Sequence, residues 1–113
     1  MSSIPGKAGF ANSSHYVAAK HGIISLSQSA ALEYAKEGIR INVICPGFIE
    51  TPLLTNAGIS ENSDLQKYIV GLHPMDRPGK SEEVADGSIF LASYDSSFMT
   101  GSTLEIDSGY LSQ

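Results

Sequence analysis

The chain has 113 residues, 42% of them hydrophobic and 17% charged, with 7 Lys plus Arg against 12 Asp plus Glu and a formal net charge of -5. This is the composition of an ordinary, mildly acidic globular domain, and a chain of this length can bury roughly two thirds of the surface it exposes when unfolded, so one core without disulfides is feasible. Scattered cations exclude nucleic acid and an anionic membrane surface as main partners, the single Cys45 can form neither an internal disulfide nor a Cys-based metal cluster, and no apolar run approaches the roughly 20 residues of a membrane span.

Met1 to Lys7 contain no basic stretch followed by an apolar run of signal-peptide length, and a cytoplasmic location is expected. Without repeats, low-complexity tracts or linkers, residues 1–113 read as a single unit. Residues 1 to 12, with Pro5, Gly6 and Gly9, read as loop, and Ser13 or Ser14 can cap a following helix. That helix is predicted from about His15 to Lys36, with Gly38 placed for a left-handed stop. Apolar and small residues (Val17, Ile23, Leu26, Ala30, Leu32 among them) nearly surround it, so it is expected to be mostly buried.

The run from Ile39 to Cys45 is rich in β-branched residues and ends at Pro46-Gly47, as an interior parallel strand would. A modest helix is predicted from about Glu61 to Leu72, capped by Ser60, because Leu65, Tyr68, Ile69 and Leu72 recur at helical spacing. Another is predicted from about Glu82 to Ser93, whose acidic first turn suits a helix dipole. Thr103 to Asp107 reads as a short strand between Gly101 and Gly109. Alternation of helix and strand implies an α/β fold with parallel strands, but two strands normally sit inside a larger sheet. A strand edge at Ile39 to Cys45 without such neighbours, and apolar helix faces, invite pairing with another chain, so a homo-oligomer is expected.

Tyr16 and Lys20 stand four apart, on one helix face one turn from each other. A phenol is a poor acid or base at neutral pH, and a neighbouring ammonium favours the phenolate. That spacing therefore suits proton chemistry, although on their own these two residues read first as a surface pair. His15, His21 and His73 lack metal-ligand spacing and read as surface or capping residues, Cys45 as a buried small apolar residue, and Asp76 with Arg77 as a loop pair.

Further motifs agree in order. Ser3 lies thirteen residues before Tyr16, Tyr16-Val17-Ala18-Ala19-Lys20 is followed by Arg40-Ile41-Asn42-Val43-Ile44-Cys45-Pro46-Gly47 with Thr51, and Thr100-Gly101 leads to Ile106-Asp107-Ser108-Gly109-Tyr110. Together they resemble the C-terminal half of a classical short-chain dehydrogenase/reductase, over nearly the whole chain. The resemblance implies the C-terminal part of a doubly wound, parallel-sheet Rossmann-type α/β fold, and an NAD(P)-dependent oxidoreductase that moves hydride between nicotinamide and a small-molecule carbonyl or secondary alcohol.

By the same resemblance Tyr16 is the general acid/base, Lys20 favours its phenolate and holds the nicotinamide ribose, and Ser3 hydrogen-bonds the substrate oxygen. Pro46, Gly47, the Ile49 backbone and the Thr51 hydroxyl would hold the carboxamide of NAD or NADP, though Pro46-Gly47 alone also reads as a strand-ending turn. Residues 52–73 resemble the family's variable substrate loop, with Leu53, Leu54, Ile59, Leu65 and Ile69 serving as apolar wall or as core. The family's Gly-rich dinucleotide turn, its cofactor-selecting residue and its catalytic Asn lie outside these 113 residues, and Ser108 stands where the family commonly has Gly. The rival expectation is a catalytically silent fragment that keeps a helix-packing, oligomerisation surface.

Overall fold

The computed structural model describes residues 1–56, 59 and 63–113. Strands β1 (Val43–Pro46) and β2 (Thr103–Ile106) pair in parallel, Val43 opposite Thr103 and Pro46 opposite Ile106. The helices are α1 (Ser14–Tyr34), α2 (Pro52–Asn56), α3 (Asp64–Gly71) and α4 (Ser81–Ala92). A parallel pair needs a long crossover, and α2, α3 and α4 all lie in the connection between β1 and β2. Among the described residues no helix is long and apolar enough to cross a membrane, and no group of His, Cys, Asp or Glu is placed to hold a metal ion.

The first strand is shorter than the run of β-branched residues. Asn42 replaces ladder bonds with its side chain: Nδ2 donates to the Met99 carbonyl at 2.9 Å, and the Ser102 amide donates to Oδ1 at 3.1 Å. Gly101, at φ 68°, donates its amide to the Ile41 carbonyl at 2.7 Å. Residues 39–42 are thereby held to the loop ahead of β2. Arg40 fastens that loop to the end of α4, donating to the carbonyls of Leu91 (2.8 Å), Ser93 (3.2 Å) and Met99 (3.3 Å) and to Ser96 Oγ (3.1 Å). The last carbonyls of a helix have no partner within it, and the guanidinium supplies one.

Helix α1 ends as anticipated, through a single 3₁₀ turn to Gly38 at φ 75°. Its start differs: Ser13 occupies the cap, but its side chain makes no capping bond. Its burial differs more. Only Ile24 and Ala31 are buried, while Leu26 and Leu32 are 71% and 83% exposed. One face packs on the 3₁₀ turn Ile4–Gly6 and, through Ile24, on Val43 and Cys45 of β1. Val17, Ile23 and Ala30 are half-buried, and among the described residues nothing covers Leu26 and Leu32. A radius of gyration of 15.3 Å, against about 13 Å for a compact chain of about a hundred residues, reflects the same exposure.

Helix α3 begins at Asp64, capped by Ser63, whose hydroxyl accepts from the Gln66 amide at 3.1 Å. The expected cap Ser60 and start Glu61 lie outside the described residues. Cys45 is fully buried, and burial, followed by the Glu105 charge, pushes its thiol pKa up, as suits a small core residue.

Arg77 pairs with Glu83 rather than with Asp76. Asp76 adopts a left-handed φ of 54° and donates its amide to the His73 carbonyl at 2.8 Å. Glu83, in the first turn of α4, accepts from both Arg77 nitrogens (2.9 and 2.6 Å) and from the Lys80 amide (2.7 Å). Those bonds lower its pKa from an ordinary 4.5 to about 2, the Arg77 bond contributing most. A depressed folded-state value means the stabilisation is present above pH 4.5 and is lost as pH falls toward about 2. Carboxyl-carbon NMR titration should place the Glu83 midpoint near 2, and Glu83→Gln should remove this acid-side contribution to stability. A midpoint at the ordinary carboxylate value would contradict the pairing.

Candidate active site

Three segments converge on the C-terminal end of β1. The first is the N-terminal stretch. The Ser2 amide donates to the Ile44 carbonyl at 2.9 Å, and its hydroxyl donates to the Lys20 carbonyl at 2.9 Å, so one buried residue ties this stretch to both β1 and α1. Ser3 follows in extended conformation and donates its hydroxyl to the Pro46 carbonyl at 3.3 Å. Gly6 then closes against α1. A Cβ there would stand 2.2 Å from Ser2 Oγ, 3.0 Å from Ile24 Cδ1 and 3.1 Å from the Lys20 carbonyl oxygen.

The second segment is the first turns of α1. Tyr16 is 44% exposed, and Lys20 Nζ lies 5.4 Å from the centroid of its ring, within cation–π range. The four-residue spacing does put both side chains on one face.

The third segment leaves β1. The Gly47 amide donates to the Ile106 carbonyl at 3.0 Å and ends the ladder. A Cβ on Gly47 would meet Asp107 Cα at 2.9 Å and His73 Nε2 at 3.2 Å, so only glycine passes here without displacing its neighbours. Ile49 forms an isolated parallel bridge with Gly79, through the Gly79 amide to the Phe48 carbonyl (2.9 Å) and the Glu50 amide to the Gly79 carbonyl (2.8 Å). In that geometry the amide and carbonyl of Ile49 itself point away from Gly79.

Between these segments lies a cleft of about 400 Å³ whose lining includes Ser3, Tyr16, Pro46, Gly47, Ile49 and Thr51. Six of the seven site residues read from sequence therefore share one cavity, and the seventh, Lys20, abuts the Tyr16 ring. Leu53 and Leu54 add an apolar wall, whereas Leu65 is exposed and Ile69 is buried in the core.

Two contributors escaped the sequence reading. Ser2 carries no signal beyond standing next to Ser3. His73, read as a surface or capping residue, is 3% exposed and does cap the last turn of α3, but its bond to Phe48 is not part of that reading. Its Nδ1 lies 2.9 Å from the Ile69 carbonyl, and its Nε2 accepts the Phe48 amide at 3.3 Å. Its partner Phe48 is a sequence neighbour of Gly47, not of His73, so local pattern could not reveal it. His15 and His21 are exposed as expected. Ser108 adopts a left-handed φ of 61°, and its hydroxyl accepts the Met75 amide at 2.8 Å, which explains how a serine occupies a turn that favours glycine.

A turn at Ile4–Gly6 thus leads into a helix carrying Tyr16 and Lys20, which faces the Pro46-Gly47 segment at the end of a parallel strand. The family model described as Enoyl-(Acyl carrier protein) reductase matches residues 1–111. Cyclohexanol dehydrogenase of Acinetobacter sp. (strain SE19) is 49% identical over 98% of this chain and 41% of its own length. The (3R)-3-hydroxyacyl-CoA dehydrogenase of Canis lupus familiaris is 42% identical over 96% of this chain and 40% of its own. Among solved structures, ElxO with NADP bound superposes with a TM-score of 0.86 at 42% identity, covering 99% of this chain and 45% of that one. 4-Hydroxyisoleucine dehydrogenase complexed with NADH reaches 0.92 at 31% identity, again over 99% and 45%.

The chain belongs to the short-chain dehydrogenase/reductase family. It spans less than half the length of these relatives, and its described elements form part of their Rossmann-type fold.

Gly6 sets the distance between Ser3 and α1. Gly6→Ala should destabilise the chain by about 1–3 kcal/mol through overpacking, read as a lowered urea midpoint. An unshifted midpoint would contradict this role.

Proposed function

We propose that the chain supplies the catalytic and nicotinamide-facing part of an NAD(P)-dependent oxidoreductase that interconverts a small-molecule alcohol and its carbonyl compound. The observation that carries this reading is the single cleft shared by Ser3, Tyr16 and the segment from Pro46 to Thr51. Its lining fits the nicotinamide end of such a cofactor: Pro46, Gly47 and Ile49 offer apolar surface and closely approachable backbone, and Thr51 offers a hydroxyl. The bound cofactor would supply hydride-transfer chemistry.

In this reading Ser3 exchanges its bond to the Pro46 carbonyl for one to the substrate oxygen and fixes it beside Tyr16. The Tyr16 hydroxyl gives a proton to that oxygen in reduction and takes it back in oxidation. Lys20, whose Nζ lies 5.4 Å from the centre of the Tyr16 ring, holds the nicotinamide ribose. Ile49, through its backbone, and Thr51 hold the carboxamide. Residues 52–73 form the substrate loop, with Leu53 and Leu54 as its apolar wall. The named activities of the relatives, on cyclohexanol and on a 3-hydroxyacyl thioester, support an alcohol substrate.

In the enzyme that carries this chain, Tyr16→Phe should lower kcat by about 10²–10⁴-fold with an unchanged unfolding midpoint. Unchanged turnover would defeat the role given to Tyr16.

A second reading, an oligomerising module without catalysis, is favoured by the exposed apolar residues Leu26, Leu32, Ile89, Tyr94 and Phe98. Self-association is common to both readings. Sedimentation should show a homo-oligomer, and a stable monomer would contradict it.

A further inference from the structure

His73 joins three parts of the molecule that are distant in sequence. Its backbone belongs to the end of α3, where its amide donates to the Val70 carbonyl at 2.9 Å. A carbonyl cannot donate, so the contact between Nδ1 and the Ile69 carbonyl places the proton on Nδ1 and leaves Nε2 to accept the Phe48 amide. The two bonds specify one tautomer. Phe48 needs this acceptor: the ladder with β2 ends at the Gly47 amide, and the bridge to Gly79 uses the Phe48 carbonyl. The Phe48 amide is therefore skipped by both neighbouring strands, and the imidazole supplies the partner that sheet pairing does not.

The ring also packs against two other aromatic rings. Phe48 meets it edge-on, with centroids 5.4 Å apart and planes at 82°. The Tyr110 ring centroid lies 5.3 Å from that of His73, and Tyr110 stacks on Phe10 at 6.1 Å. Phe48 and Phe10 both line the cleft. Nε2 would stand 3.2 Å from a Cβ on Gly47, so the imidazole also bounds the path of the chain there.

We infer that His73 is a positioning residue, which fixes the Phe48 amide and through it the wall from Pro46 to Phe48 to the C-terminal end of α3. That this wall faces a nicotinamide rests on the function proposed above; the positioning itself does not.

The test is amide hydrogen exchange on the chain without nucleotide. His73→Phe keeps a ring of similar size and loses the acceptor, so exchange at Phe48 should quicken by at least about fivefold, while Gly47 and Val43, whose partners are Ile106 and Ser102, hold their rates. His73→Gln, which offers both a donor and an acceptor, should restore most of the Phe48 protection. Equal Phe48 exchange in wild type and His73→Phe, or loss of protection at all three amides together, would overturn the inference. Long-range nitrogen–proton correlation on the wild type needs no variant: Nδ1–H with an unprotonated Nε2 is expected, and Nε2–H would overturn it. Failure of the chain to bind NADH would count against the cofactor reading alone.

Discussion

Ser2 and Gly6 set the distance on which the cleft depends. Two bonds from Ser2, one to Ile44 in β1 and one to the Lys20 carbonyl in α1, hold strand and helix at a fixed separation. Gly6 lets the intervening turn press against the helix at the level of Lys20 and Ile24. Because Ser3 lies between these anchors and Tyr16 one turn before Lys20, the hydroxyl and the phenol come to one cavity without either making a specific bond to the other. Proton transfer depends on such placement more than on the identity of the groups alone, since a group held out of reach contributes nothing to the transition state.

Beyond β1 the controlling constraint is steric. The chain leaving Pro46 passes between Asp107 and His73, where no side chain fits, and is then fastened by Ile106, His73 and Gly79 in succession. Backbone pinned at three consecutive points has little freedom left to lose when a ligand settles on it, which is the value of preorganisation. Asp107 tightens the far side, its carboxylate oxygens accepting the Gly109 and Leu111 amides at 2.9 Å each. Gly47 therefore serves both faces of the segment: close packing behind and an approachable backbone in front.

Much of this was legible in the residues. Helical spacing joined Tyr16 to Lys20, the β-branched run ending in Pro46-Gly47 marked a buried parallel strand, and the order of motifs gave the family. The places where pattern misled have physical causes. Asn42 sits within a strand-like run, yet its amide side chain takes over the bonding to Met99 and Ser102, so the ladder starts only at Val43. The apolar and small residues spread round α1 suggest burial on most sides, whereas among the described residues only Ile24 and Ala31 are buried. Arg77 bypasses its neighbour Asp76 because Glu83 is already oriented by the Lys80 amide. His73 acts across 25 positions on Phe48, and no local periodicity encodes a contact of that kind.

On the proposed function, the segment from Gly47 to Thr51 and the Tyr16 face of α1 form one nicotinamide-facing site. Titrating isotope-labelled chain with NADH while following amide resonances tests it most directly. Saturable shifts confined to Ser3, Tyr16, Lys20, Gly47, Ile49 and Thr51 are expected. Shifts that fail to saturate, or that fall instead on α4 and the loop held by Arg40, would contradict it.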